Sequence, residues 1–167
     1  MHEVRVVEIR VSTGDSAPLV VLAEVGGRER LLPIWMSHGG ASAIFSATEE
    51  PDAVRPNIHD LAWQLVEMAA EPLDSVRITG YDDGQFYAEL AFGERRVGAR
   101  PSDAIALALR LGCSIHCADD VLEAVGVEPD RTGSGAAPAQ SEEEVERFLE
   151  FLDSVTPEDF SGDEGQP

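Results

Sequence analysis

Between Pro101 and Gly112 the chain offers almost nothing but small and apolar side chains: Ala104, Ile105, Ala106, Leu107, Ala108, Leu109 and Leu111. Pro101 ends whatever precedes it, Ser102 is a natural N-cap, and Asp103 suits the positive end of a helix dipole. Gly112 is placed to close the helix in the left-handed conformation. A helix that is apolar on every side has to be buried on more than one of them. The rest of the chain must therefore supply a sheet beneath it and a second layer, or a second subunit, above. The polar residues confined to its N-terminal lip, Arg100, Ser102 and Asp103, are the first place to look for chemistry.

The surrounding pattern supplies strands. Residues 4–11 alternate, 12–17 with Gly14-Asp15 form a turn, 18–25 and 28–35 are strands about Gly26-Gly27, and Ser37 caps a helix rich in small residues that runs to about Thr48. Asn57 caps the longest core helix, Ile58–Glu71, whose Ile58, Leu61, Ala62, Leu65 and Met68 trace one face at helical spacing. Strands at 74–81 and 85–92 join through Asp82-Asp83-Gly84, a hairpin signal, and a short strand at 95–99 leads into the apolar helix. A strand at 114–118 and a short helix at 119–125 close this part. Val4–Ile9 matches Val76–Tyr81 in pattern, and Leu19–Val25 answers Phe86–Phe92. The fold class expected is α+β: a mixed β-sheet built from two strand-strand-strand-helix repeats with helices packed on it.

The domain occupies residues 1–127, long enough to bury about two-thirds of its unfolded surface. Residues 128–140, with Gly133-Ser134-Gly135, read as a flexible linker. Residues 141–155 open with a capping-box pattern and carry Val145, Phe148, Leu149 and Leu152 as the stripe of an acidic amphipathic helix. That helix has to dock on its own domain, a second subunit or another protein. Residues 156–167 read as a disordered tail.

The formal charge is −20, and all twelve basic residues are Arg. Residues 119–167 hold fifteen acids against two Arg. No basic stripe of the kind that grips phosphates is visible, so a polyanion would need a metal or local Arg residues to approach. No apolar run nears the roughly 20 residues of a membrane helix, and no signal-peptide pattern opens the chain. Cys113 and Cys117, four apart, suit reduced thiols better than a disulfide, so a cytoplasmic setting without a membrane is expected.

Three helix mouths gather the polar residues. Arg100 and Asp103 are the types that stabilise charge and hold a metal in phosphodiester hydrolysis, although Ser102 and Asp103 would serve equally as caps. His59 and Asp60 open the Asn57-capped helix, where His59 can act as a base or ligand and Asp60 as the acid of a capping box. The candidate set is Asp103, Arg100, His59 and Asp60, with Asp103 and Asp60 as metal ligands. It forms a site only if the two mouths face one cleft. Ser37-His38-Gly39-Gly40 is a third mouth, suited to a phosphate or, more simply, to close helix packing. Cys113, Ile115 and Cys117 point one way from a strand and His116 the other, so these thiols read as structural and not as a zinc site. Trp35 at a strand-to-helix junction suits either the core or a stacking surface.

Taken in order, Leu32-Pro33-Ile34-Trp35, His59-Asp60-Leu61, Asp83-Gly84-Gln85-Phe86-Tyr87-Ala88 and Ala99-Arg100-Pro101-Ser102-Asp103-Ala104-Ile105-Ala106-Leu107-Ala108 resemble the bifunctional nuclease domain family over about residues 1–127. The resemblance implies an α+β homodimer that cleaves RNA and DNA. No catalytic set is carried over with it, so the residue assignments above rest on the residues themselves. The expectation is a nuclease assisted by a divalent ion, Mg or Mn, with no organic cofactor. The competing readings are a non-enzymatic dimeric regulatory module whose acidic tail docks on a protein partner, and a sensor of small anions.

Overall fold

A computed structural model describes residues 1–10, 17–49, 55–68 and 70–128. Its centre is one mixed seven-stranded sheet in the order β3-β2-β1-β7-β4-β5-β6. The strands are β1 (His2–Arg10), β2 (Leu19–Glu24), β3 (Leu31–Trp35), β4 (Ser75–Asp82), β5 (Gln85–Phe92), β6 (Arg95–Ala99) and β7 (Ser114–Cys117). Four helices accompany them: α1 (His38–Ala47), α2 (Ile58–Glu67), α3 (Pro101–Leu111) and α4 (Asp119–Val125). No described helix is long and apolar enough to cross a membrane. The linker expected at 128–140, apart from Glu128, the amphipathic helix expected at 141–155 and the tail expected at 156–167 lie outside the described residues.

The duplication seen in the sequence has a geometric counterpart. β1-β2-β3 and β4-β5-β6 are antiparallel meanders, laid out on either side of β7, which pairs antiparallel with β1 and parallel with β4. Each first strand slips register at the same point of the repeat, between Val6 and Glu8 in one and between Ile78 and Gly80 in the other. Each meander then feeds a helix, α1 or α3. Asp83 and Gly84, both at positive φ, make the tight β4–β5 turn expected from Asp-Asp-Gly.

One face of the sheet carries the main core. Val20 and Leu22 of β2, Leu32 and Ile34 of β3, Val76 and Ile78 of β4 and Ala88 and Leu90 of β5 meet Ile44 of α1, Ile105 of α3 and Val121 and Leu122 of α4. Burying a side chain such as Ile105 contributes about 1.5–3 kcal/mol. α3 is covered as its composition requires, by the sheet below and by α1 and α2 beside it. The alternate residues Leu19, Val21, Ala23 and Leu31 form a smaller cluster on the opposite face, with Val7, Trp35 and Val127 packed against it.

Two expectations about the helices are overturned. Ser102 is not the N-cap of α3. Arg100 takes that position without a side-chain cap bond, Pro101 fills the first turn with its preset φ, and Ser102 turns inward. α2 ends at Glu67, and the stripe expected to face the core faces water instead: Ile58, Leu61, Leu65 and Met68 are 44–82 % exposed. Burial falls to Asp60, with Ala62, Trp63 and Val66 partly buried, because α2 docks through the polar contacts described next.

Candidate active site at converging helix mouths

The site begins with how α2 starts. The Asn57 side chain accepts from the backbone N–H of His59 (2.8 Å) and Asp60 (3.0 Å), while Asp60 Oδ2 accepts from the Asn57 N–H at 3.1 Å. This capping box aims Asp60 inward. Its Oδ1 accepts from Arg110 Nη2 at 2.6 Å, in an ion pair whose side chains are 3 % and 8 % exposed. His59, the preceding residue and about 100° away around the helix, then faces the N-terminus of α3. Its Nε2 lies 3.1 Å from Asp103 Oδ1.

Asp103 is held from a second side. Arg100 Nε donates to Oδ2 at 2.7 Å and Nη2 to Oδ1 at 3.0 Å, a bidentate pair three residues apart. Burial pushes the Asp103 carboxyl up, but the hydrogen bonds from Arg100 and His59 outweigh it and hold the group below its ordinary value. Its bond with Asp103 raises the Arg100 guanidinium in turn. An ionised carboxylate only accepts, so Nε2 of His59 carries the proton and the lone pair is left on Nδ1. A carboxylate that sets the tautomer of an imidazole and leaves its other nitrogen basic is the arrangement general-base catalysis requires.

α1 completes the surroundings. Ser37 caps it through a Gly40 N–H bond of 3.2 Å, as its sequence indicates. Gly40 lies so close to Ser102 that a Cβ there would sit 2.8 Å from the Ser102 Cβ. Close packing, then, is what the glycine serves. Arg110 donates to the carbonyls of Ser46 (2.9 Å) and Glu49 as well as to Asp60. α1 and α3 therefore run side by side in the same direction, Gly40 beside Ser102 at one end and Ser46 and Glu49 beside Arg110 at the other, and the first turn of α2 reaches both Asp103 and Arg110.

Of the four residues expected to act together, the structure joins His59, Asp103 and Arg100 and commits Asp60 elsewhere. Asp60 and Asp103 do not fit a divalent ion as they stand: one carboxylate is spent on Arg110 and a backbone N–H, the other on Arg100 and His59. Among the described residues no group of three or more His, Cys, Asp or Glu side chains is arranged to hold a metal. The residue that sequence reasoning missed is Arg110. Its signal was present: one Arg in an apolar helix, seven residues after Asp103 and so on the same face. Of the two thiols, Cys117 is buried and pushed up to about 12 by that burial, whereas Cys113 is only partly buried.

A mixed sheet built from two meanders, with a His–Asp–Arg cluster between the first turns of α2 and α3, defines the class: an α+β domain that carries its polar cluster in the helical layer. Residues 20–130 match the model of the bifunctional nuclease domain. The chain belongs to that family. It is also similar to two uncharacterized proteins of Mycobacterium tuberculosis, from strains H37Rv and CDC 1551, each 43% identical over 162 residues that cover 96% of this chain and 98% of theirs.

Proposed function

We propose that the chain is a nuclease hydrolysing phosphodiester bonds in RNA and DNA at the mouth of α3. The observation that carries this reading is the His59–Asp103–Arg100 cluster beside a helix N-terminus that no side chain caps. A phosphate placed there meets the α3 N–H groups and the positive end of its dipole. Arg100, 72% exposed at its side chain, opposes the charge that grows on the phosphoryl oxygens. His59 Nδ1 takes the proton of the attacking water, and Asp103 holds the imidazole in that orientation and stabilises it once protonated. As the water oxygen bonds to phosphorus, the bond from phosphorus to the leaving sugar oxygen breaks, and that oxygen takes a proton from the protonated His59 or from solvent.

The test is cleavage of RNA and of single-stranded DNA by wild type, His59→Ala and Asp103→Asn purified identically. Loss of a general base lowers the rate by about 10²–10⁴-fold. Equal rates in all three would assign the activity to a contaminant and defeat the proposal. The assay includes Mg²⁺, Mn²⁺ and chelator, because an ion carried in by substrate phosphates needs no carboxylate cage prepared in advance.

The exposed stripe of α2 favours a second reading, a dimeric module. Ile58, Leu61, Leu65 and Met68 run the length of the helix, and a continuous exposed patch of this kind marks an interaction surface. A second copy seated on the same stripe would make the symmetric homodimer. Sedimentation of wild type beside Leu65→Glu separates the two: a dimer that Leu65→Glu dissolves, in a protein with no turnover, supports the module alone.

A further inference from the structure

The smaller apolar cluster is closed from water, and among the described residues only β1, β2, β3 and Val127 contribute apolar side chains to it. On β2, Leu19, Val21 and Ala23 are no more than 5% exposed, although they point away from α1, α3 and α4. Leu31 of β3 is equally buried, and all the other members of the cluster come from β1, β3 and Val127. The open face of an antiparallel sheet does not bury a valine to 1% by itself, so another layer has to lie on it. No described helix contributes to this cluster.

Where the described chain ends points to the cover. Val127 exchanges both backbone hydrogen bonds with Leu31, each 2.8 Å, and packs in the cluster. The chain thus leaves the domain at the edge of this face. Beyond it, Val145, Phe148, Leu149 and Leu152 fall at i, i+3, i+4 and i+7, an apolar stripe in want of a partner. A helix over the fifteen residues 141–155 would be about 22 Å long, close to the roughly 20 Å of a six-residue strand such as β2. The twelve residues 129–140 reach up to about 40 Å, more than enough to return it. The six residues 11–16 and the five residues 50–54 are too few to carry an apolar stripe as long as that of 141–155. The α2 stripe is another apolar seat among the described residues, but it is open to water.

We infer that residues 141–155 dock as an amphipathic helix on the face of β1-β2-β3 opposite α1 and α3, with Phe148 and Leu149 over Val21 and Leu31. The docked segment carries six acids and one Arg. Held there, it lies a full sheet and helix layer away from Arg100, beyond the Debye length of about 8 Å at physiological salt. The inference does not depend on the nuclease reading.

The test is photocrosslinking of the full chain carrying Phe148→p-benzoylphenylalanine, with the crosslinked peptides mapped. Crosslinks within one chain to residues 19–35 are expected. Crosslinks to residues 58–68, to a second copy, or to nothing in the chain would each overturn the docking. Full-length Phe148→Glu in a Trp63→Phe background gives an independent measure. Trp35 emission should shift to the red as the cover lifts, and an unchanged spectrum counts against it.

Discussion

Replacing Arg110 with methionine should be the most damaging single change in the helical layer, and its cost follows from what Arg110 holds. Met keeps the apolar stem and removes the guanidinium. Asp60 is left as a carboxylate 3% exposed, with one backbone N–H as its remaining partner, and the Ser46 and Glu49 carbonyls lose their donor. Removing one member of a buried ion pair costs about 3–5 kcal/mol, because the survivor is stranded without solvent. The two carbonyls lie at the end of α1, where water can replace Arg110, and add about 1 kcal/mol at most. Against a total stability of about 5–15 kcal/mol the loss is large, and it lowers Tm by roughly 10–20 °C. Asp60→Asn with Arg110→Met removes the stranded charge, so the double variant should recover about 2 kcal/mol of the single loss. Urea unfolding followed by far-UV circular dichroism measures all three proteins. A cost below about 1 kcal/mol for Arg110→Met, or no recovery in the double variant, would show that the pair does not clamp α2 to α3.

The remaining expectations concern the same layer. Gly40→Ala drives a Cβ into Ser102, whose own Cβ is fixed to backbone, and should cost about 1–3 kcal/mol by thermal melting. Asp103 has a depressed folded pKa, so its contribution is present above the ordinary Asp range and is lost as pH falls through the folded value. The stability gap between wild type and Asp103→Asn should therefore be full at pH 7 and shrink below about pH 4, as read by urea midpoints. Met68→Glu, on an open helix face, should change monomer stability by no more than about 0.5 kcal/mol, and a larger loss would mean the face is covered.

What could be read from residues alone divides along a physical line. Local signals carried the meanders, the Asp83-Gly84 turn and the caps at Ser37 and Asn57, since each is settled by a few neighbours in sequence. The repeat was legible because β1 and β4 keep the same alternation, and the matching bulges confirm it. The orientation of α2 was not legible. Its apolar stripe at Ile58, Leu61, Leu65 and Met68 is the stronger periodic signal, and burial by area would turn that face inward. What turns it outward is Arg110, fifty residues away, which offers Asp60 the only kind of partner that makes a buried carboxylate tolerable. The same contact divides the site. Once Asp60 is drawn down to Arg110, helix geometry sends its neighbour His59 toward Asp103, and the four-residue centre expected from sequence becomes a three-residue one. A periodicity argument weighs each helix alone, whereas here one buried charge on α3 decides which face of α2 meets water and which of its first residues meets the substrate side.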